Sequence, residues 1–245
     1  MRRALAVGIL LVAFPLPAHA WAPHVHWAAK YAKQRTGTIA FAVRTPGHAW
    51  GFDSRRTFPS ASVLKAMLLV AYLNEPSVRG RALRSGERAL LGPMIRRSDN
   101  DAASTIFVRV GTHRLRVLAR RAGMSRFTPA APVWGTSRID AADQARFFLK
   151  IDTMLPARHR AYAMRLLENV TPSQRWGIAQ ARPRGWRLFF KGGWGSGTGW
   201  VDHQVALLTK GDRRVSLAIL TYADGSHAYG KETLRGIAKR LLRGL

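Results

Sequence analysis

Ser62 and Lys65 stand three residues apart at the head of an apolar run, Ala66 to Leu73. On a helix that spacing puts both side chains on one face. A serine hydroxyl is a weak nucleophile until a base takes its proton. A lysine amine becomes such a base only where burial lowers its pKa, and the run from Ala66 supplies apolar surroundings. A helix start adds free N–H groups and a partial positive charge beside the serine. The stretch reads as a nucleophile carried with its own base. The competing reading makes Ser62 a helix N-cap and Lys65 a solvated side chain. Composition alone yields a Ser-x-x-Lys about 0.4 times in such a chain, so the pair needs support from elsewhere.

That support comes from two further motifs. Ser98-Asp99-Asn100 is expected by chance about 0.006 times, and Lys191-Gly192-Gly193, at the end of a predicted strand, about 0.06 times. In this order the three motifs resemble those of the class A β-lactamase and penicillin-binding serine hydrolase superfamily. The resemblance extends over nearly the whole mature chain in element order. It implies an α/β fold with an antiparallel sheet flanked by terminal helices, an inserted all-helical lobe, and an active site in the cleft between them.

The resemblance also implies roles. Ser62 would attack the carbonyl of a β-lactam, amide or ester and become acylated. Lys65 would take or relay its proton, and the Ser98 hydroxyl would pass one to the leaving nitrogen. Asn100 would hold the substrate's side-chain amide and orient Lys65. Lys191 would attract a substrate carboxylate and assist Ser98. Gly193 and Trp194 would border the substrate, with the Trp194 and Ser62 N–H groups as oxyanion donors. Such donors contribute roughly 3 kcal/mol each to the transition state.

Two departures from the family pattern bear on activity. A class A β-lactamase carries a glutamate that activates the deacylating water, and by spacing it would fall close to Trp134. This chain has no Asp or Glu from Ala102 to Ile139, and Asp140 reads as a helix cap. Deacylation should therefore be slow. Gly192 also replaces a hydroxyl residue, which removes a hydrogen bond worth about 1.5–3 kcal/mol to a substrate carboxylate. Ser196 or Thr198 could compensate. Trp200 lies near the position where an arginine often supports that carboxylate.

Helical spacing is read over Val25–Arg35, Glu87–Arg97 (weakened by Pro93), His113–Ala122, Asp140–Leu149, Ala157–Val170 and Lys231–Arg243. Thr38–Val43 and His48–Phe52 flank a Thr-Pro-Gly turn and read as a hairpin. Trp186–Lys191, Trp200–Thr209 and Val215–Tyr222 read as strands. The order suggests an α/β lobe from residues 21–58 and 185–245, with a helical lobe over 59–184.

Residues 1–20 have the form of a signal peptide: Arg2 and Arg3, an apolar Ala4–Leu16, and the small-residue site Ala18-His-Ala20. The mature chain is expected to be extracytoplasmic, without a transmembrane or lipid anchor. There are no cysteines. No cofactor is expected, and the eight histidines show no metal-ligand spacing.

The formal net charge is +27, from 32 arginines and 8 lysines against 13 acidic residues. The arginines are spread along the chain and no nucleic-acid motif accompanies them, so specific nucleic-acid binding is not expected. Weak attraction to an anionic wall or membrane surface is. The sequence thus points to an exported, monomeric, β-lactamase-like serine hydrolase. Its substrate would be a small β-lactam, as in β-lactam breakdown and antibiotic response, or a cell-wall peptide, as for a D,D-peptidase. A non-catalytic basic wall-binding protein on the same fold is the alternative of another class.

Overall fold

The computed structural model describes residues 21–197 and 199–245; the leader read over residues 1–20, and Thr198, lie outside the described residues. Helix α1 (Val25–Lys33) buries Ala28 and Ala32, one turn apart. β1 (Thr38–Arg44) and β2 (Ala49–Phe52) form the expected hairpin. The short strand β3 (Thr57–Pro59) leads into a 3-10 turn, Ala61–Val63, and then into α2 (Leu64–Leu73). Helices α3 (Pro76–Arg79), α4 (Ser85–Arg96) and α5 (Asn100–Ala122) continue the helical lobe.

β4 (Arg138–Asp140) pairs with β3 in a small ribbon that the sequence does not announce, since each strand has only three residues. α6 (Ala141–Leu149) follows, with the Asp140 carboxylate accepting the Asp143 N–H at 2.6 Å as its N-cap. After α7 (Ala157–Glu168) the chain forms β5 (Arg187–Gly195), β6 (Val201–Lys210) and β7 (Arg213–Tyr222), and closes in α8 (His227–Leu241). α8 starts four residues before the apolar stripe predicts, because Ser226 caps it by accepting the Tyr229 N–H.

The five-stranded sheet is antiparallel throughout, in the order β2-β1-β7-β6-β5. Its strands alternate between two cores. Ala40, Ala42, Val205, Leu207, Ala218 and Leu220 face α6 and the helical lobe. Phe41, Val43, Ala206, Leu208, Leu217 and Ile219 face α1 and α8. Both faces are covered, so the strands read as continuous apolar runs rather than as an alternation. The two chain ends thus build one sheet, and β5 lies at its edge, toward the helical lobe. No described helix is long and apolar enough to cross a membrane.

All ten residues of α2 are buried, including Lys65. A helix apolar all round belongs in a core. The segment ahead of it is fastened to the sheet by His203 on β6. His203 Nε2–H donates to the Pro59 carbonyl at 2.9 Å, and Nδ1 accepts the Thr221 N–H at 3.2 Å. Complete burial drives the His203 pKa from 6.5 down to about 4, so the ring stays neutral in this tautomer. An unfolded histidine protonates near 6.5. Stability from His203 is therefore fully present above pH 6.5 and is lost as pH falls toward 4, by at most about 3 kcal/mol. Urea unfolding should show this acid-side loss in wild type, and His203→Gln should be less stable at neutral pH with a flatter pH dependence.

Candidate active site

The three motifs meet where α2, the start of α5 and β5 converge. Ala61 has a left-handed backbone, φ 42, which costs a non-glycine residue of order 1 kcal/mol. The turn is held from both sides. The Ser60 N–H donates to the Ser137 carbonyl at 2.7 Å, and Ser60 Oγ donates toward the Gly135 carbonyl at 3.2 Å. The result leaves Ser62 half-buried, lining a cleft of about 430 Å³ with Asn100, Trp134 and Trp194. The N-cap alternative for Ser62 does not hold, because neither the 3-10 turn nor α2 has a side-chain cap. The solvated alternative for Lys65 fails too, since Lys65 is fully buried.

Lys65 Nζ donates to Asn100 Oδ1 at 2.7 Å, to Ser98 Oγ at 3.2 Å and to the Ser98 carbonyl. Ser98 can offer both oxygens because its own backbone is left-handed, φ 60. Its neighbour holds it there: the Asp99 N–H donates to the Pro93 carbonyl at 3.2 Å, and Asp99 Oδ1 caps α5 by accepting the Ala102 N–H at 2.8 Å. Burial lowers the Lys65 pKa from 10.5 to about 7, against the opposing pull of the Asp99 carboxylate. That change amounts to ~5 kcal/mol against the charged form. Near neutral pH about half the Lys65 amines carry a free lone pair.

Lys191 approaches Ser98 from β5. Its Nζ donates to Ser98 Oγ at 3.0 Å and to the Gly192 carbonyl at 2.6 Å. Complete burial, and then the charge of Lys65, hold its pKa well below the usual lysine value. One hydroxyl thus lies between two buried amines. A hydroxyl can donate once and accept twice, so Ser98 can pass a proton between them.

Gly193 packs against the Ser62 turn. A Cβ there would lie 2.8 Å from both the Ser62 and Val63 nitrogens. Gly192 faces the other way: a Cβ would meet the Trp176 ring at 3.4 Å, so the indole fills the space beside it. Ser196 is exposed beyond the end of β5, and its carbonyl accepts the Gly199 N–H at 3.0 Å; it does not line the cleft. Trp200 is exposed, with φ 52.

Trp134 stands where the family's spacing places a glutamate. Its ring centroid is 5.1 Å from Lys65 Nζ, and its Nε1–H donates to Ser104 Oγ at 3.1 Å. Ser104 lies one helical turn beyond Asn100 and also lines the cleft. That i, i+4 relation was the available signal for it. None of the described residues lining the cleft is acidic. The nearest later carboxylate, Asp140, is spent on capping α6 and on Arg55 Nη1 at 3.4 Å. Among the described residues no cluster of histidine and carboxylate ligands could hold a metal.

The profile of the beta-lactamase enzyme family matches residues 83–245, a span that contains the Ser98 and Lys191 motifs and begins after Ser62. The chain belongs to this family. A search of curated proteins finds no significant sequence match. Among solved structures, the β-lactamase from Sphaerobacter thermophilus DSM 20745 is similar at TM-score 0.73 and 19% identity, over 89% of this chain and 94% of that one. An ancestral (GNCA) class A β-lactamase gives TM-score 0.74 at 16% identity, over 91% of this chain and 100% of that one. PBP-A gives TM-score 0.72 at 18% identity, over 88% and 92%. These likenesses establish the fold: an antiparallel sheet with helices, as in class A β-lactamases.

The contact between Gly193 and the Ser62 turn can be tested directly. In Gly193→Ala the new methyl meets backbone on both sides, so relief requires moving β5 or the turn. Thermal unfolding should show a loss of about 1–3 kcal/mol. An unchanged melting temperature would mean that the two segments do not touch.

Proposed function

We propose that the protein is an exported serine hydrolase that forms an acyl-enzyme on Ser62 with a β-lactam or a related wall-derived amide or ester. The observation that carries this reading is the Ser98 hydroxyl held between the lowered-pKa amines of Lys65 and Lys191. Acyl transfer needs a nucleophile, a base, an acid for the leaving group and an oxyanion site, and the cleft has a candidate for each.

In this reading the Ser62 hydroxyl adds to the carbonyl carbon while its proton passes to the neutral Lys65 amine. The N–H groups of Ser62 and Trp194 receive the developing oxyanion. Lys65 returns the proton through Ser98 Oγ to the substrate nitrogen, the C–N bond breaks, and an ester on Ser62 remains. Asn100, tied to Lys65, orients both the base and the substrate's side-chain amide. Lys191 keeps Ser98 aligned and attracts a substrate carboxylate. The leader read over residues 1–20 supports an extracytoplasmic setting for this chemistry. The charge of +27 favours loose attachment to anionic wall or membrane polymers.

Hydrolysis of the ester is the weak step. A positioned base is worth about 10²–10⁴ in rate, and the cleft offers an indole where the family has a carboxylate. The Trp134 ring over Lys65 therefore favours a second reading, that of a penicillin-binding D,D-peptidase type enzyme whose acyl-enzyme accumulates with β-lactams.

Intact mass spectrometry after mixing with a penicillin tests both. A long-lived adduct of one penicillin on wild type and none on Ser62→Ala is the expected result. Its formation rate should rise as pH increases through about 7, where Lys65 loses its proton. Rapid turnover without an adduct would contradict slow deacylation. No adduct and no turnover with penicillins, esters or amides would leave the non-catalytic binder as the better account.

A further inference from the structure

Across β5 from Lys191 lies a second set of titratable groups, at the end of the strand where Trp194 borders the cleft, that the acylation chemistry does not use. Trp194 on β5 pairs in register with Asp202 on β6, and Gly192 with Gln204. Cross-strand partners share a face, so Trp194, Asp202 and Gln204 lie together. Gln204 fixes the loop that carries Trp176: its Oε1 accepts the Ile178 N–H at 2.6 Å and its Nε2 donates to the Trp176 carbonyl at 2.8 Å. Asp202 fixes His227, with Nδ1 and Oδ1 2.6 Å apart. His227 in turn stacks on Trp194, with centroids 5.6 Å apart and planes at 22°. Trp176 meets both rings edge-on.

Asp224 closes the set. Its Oδ2 lies 2.6 Å from the Thr221 hydroxyl and, with Asp202 Oδ2, crowds the same space beside Gly230. Two buried carboxyls so close cannot both ionise easily, which favours keeping a proton on the pair. Burial and the neighbouring Asp224 raise the Asp202 pKa to about 8. Burial lowers that of His227, which leaves a neutral imidazole free to donate Nδ1–H to Asp202. Gly230 of α8 sits against the pair: a Cβ there would lie 2.2 Å from Asp202 Oδ2 and 2.4 Å from Asp224 Oδ2. Lys231 is the one cation of α8 that acts on Asp202 and His227. From β5, Lys191 Nζ lies 6.0 Å from the Trp194 ring centroid.

We propose that Asp202, Asp224 and His227 form a proton-holding bracket that positions Trp194, and with it the β5 edge facing Ser62, and that losing the shared proton loosens that edge. These are positioning residues; none of them reaches the reacting atoms. The role rests on the acyl-enzyme reading, and it makes its own demand on pH. A second negative charge on this buried carboxyl pair must be relieved by moving His227 or admitting water beside it. The first removes the ring on which Trp194 is stacked, and the second loosens it.

The test follows the protein by two independent readouts between about pH 6 and 10. One is the rate of penicillin adduct formation on Ser62. The other is the Trp194 indole N–H resonance, assigned by its loss in Trp194→Phe. In wild type the resonance should titrate near 8, and acylation should fall about tenfold per pH unit above that point. Asp202→Asn, which keeps a neutral partner for His227, should remove both changes while retaining the rise through 7. Asp224→Asn provides the same comparison should Asp202→Asn not fold.

A Trp194 resonance that does not move between pH 7 and 9 overturns the bracket, whatever Ser62 does. A resonance that titrates while acylation stays flat above 8, or an alkaline fall that survives in the folded Asn variants, overturns the coupling to β5. Failure of every acyl donor to label Ser62, with the resonance still titrating, overturns the catalytic reading instead, and the role in acylation with it.

Discussion

Lys65 sits on a helix with no solvent-facing side, and the chemistry of the cleft depends on that burial. A charged ammonium there costs several kcal/mol unless paired, and the partners supplied are neutral oxygens from Ser98 and Asn100 rather than a carboxylate. The amine answers by giving up its proton near neutrality. Lys191 meets the same constraint on β5. Neither lysine would become a proton acceptor on a solvated surface. The apolar sequence Ala66–Leu73 is thus both the core of the helical lobe and the source of basicity at its end.

Holding this arrangement consumes much of the surrounding polar inventory. His203, neutral and fully buried, ties the segment ahead of Ser62 to β6. Asp99 keeps Ser98 in a left-handed conformation by capping α5. Gly193 lets β5 come against the backbone of the Ser62 turn. Membership of the beta-lactamase enzyme family accounts for the plan, while Trp134 and Gly192 give this chain its own version of the cleft. The Trp134 indole lies over Lys65, and Gly192 carries no side chain that could reach the cleft.

Much of this was legible in the sequence. The hairpin, the three final strands and the Asp140 cap follow from periodicity and turn chemistry, and the meeting of the three motifs from the resemblance to the family. The β3–β4 ribbon was not, because three-residue strands carry too little pattern. The start of α8 was misplaced because Ser226 precedes polar and aromatic residues rather than the apolar stripe. Ser196 lies exposed just past β5, between Gly195 and Gly197 of the cleft lining. Asp202, His203 and Gln204 were passed over, although three polar residues in a row interrupt an otherwise apolar strand. All three are buried, and each holds a different part of the site in place. Such an interruption is itself a signal, since buried polar groups must find partners.

The claim on which the rest depends is that Lys65 is a base in the resting protein. Carbon-13 NMR of lysine Cε, with the Lys65 resonance assigned by its absence in Lys65→Met, reads this in the free protein without any substrate. A midpoint near 7 is the predicted result. A Lys65 that titrates like a solvated lysine, above about 10, would contradict the account.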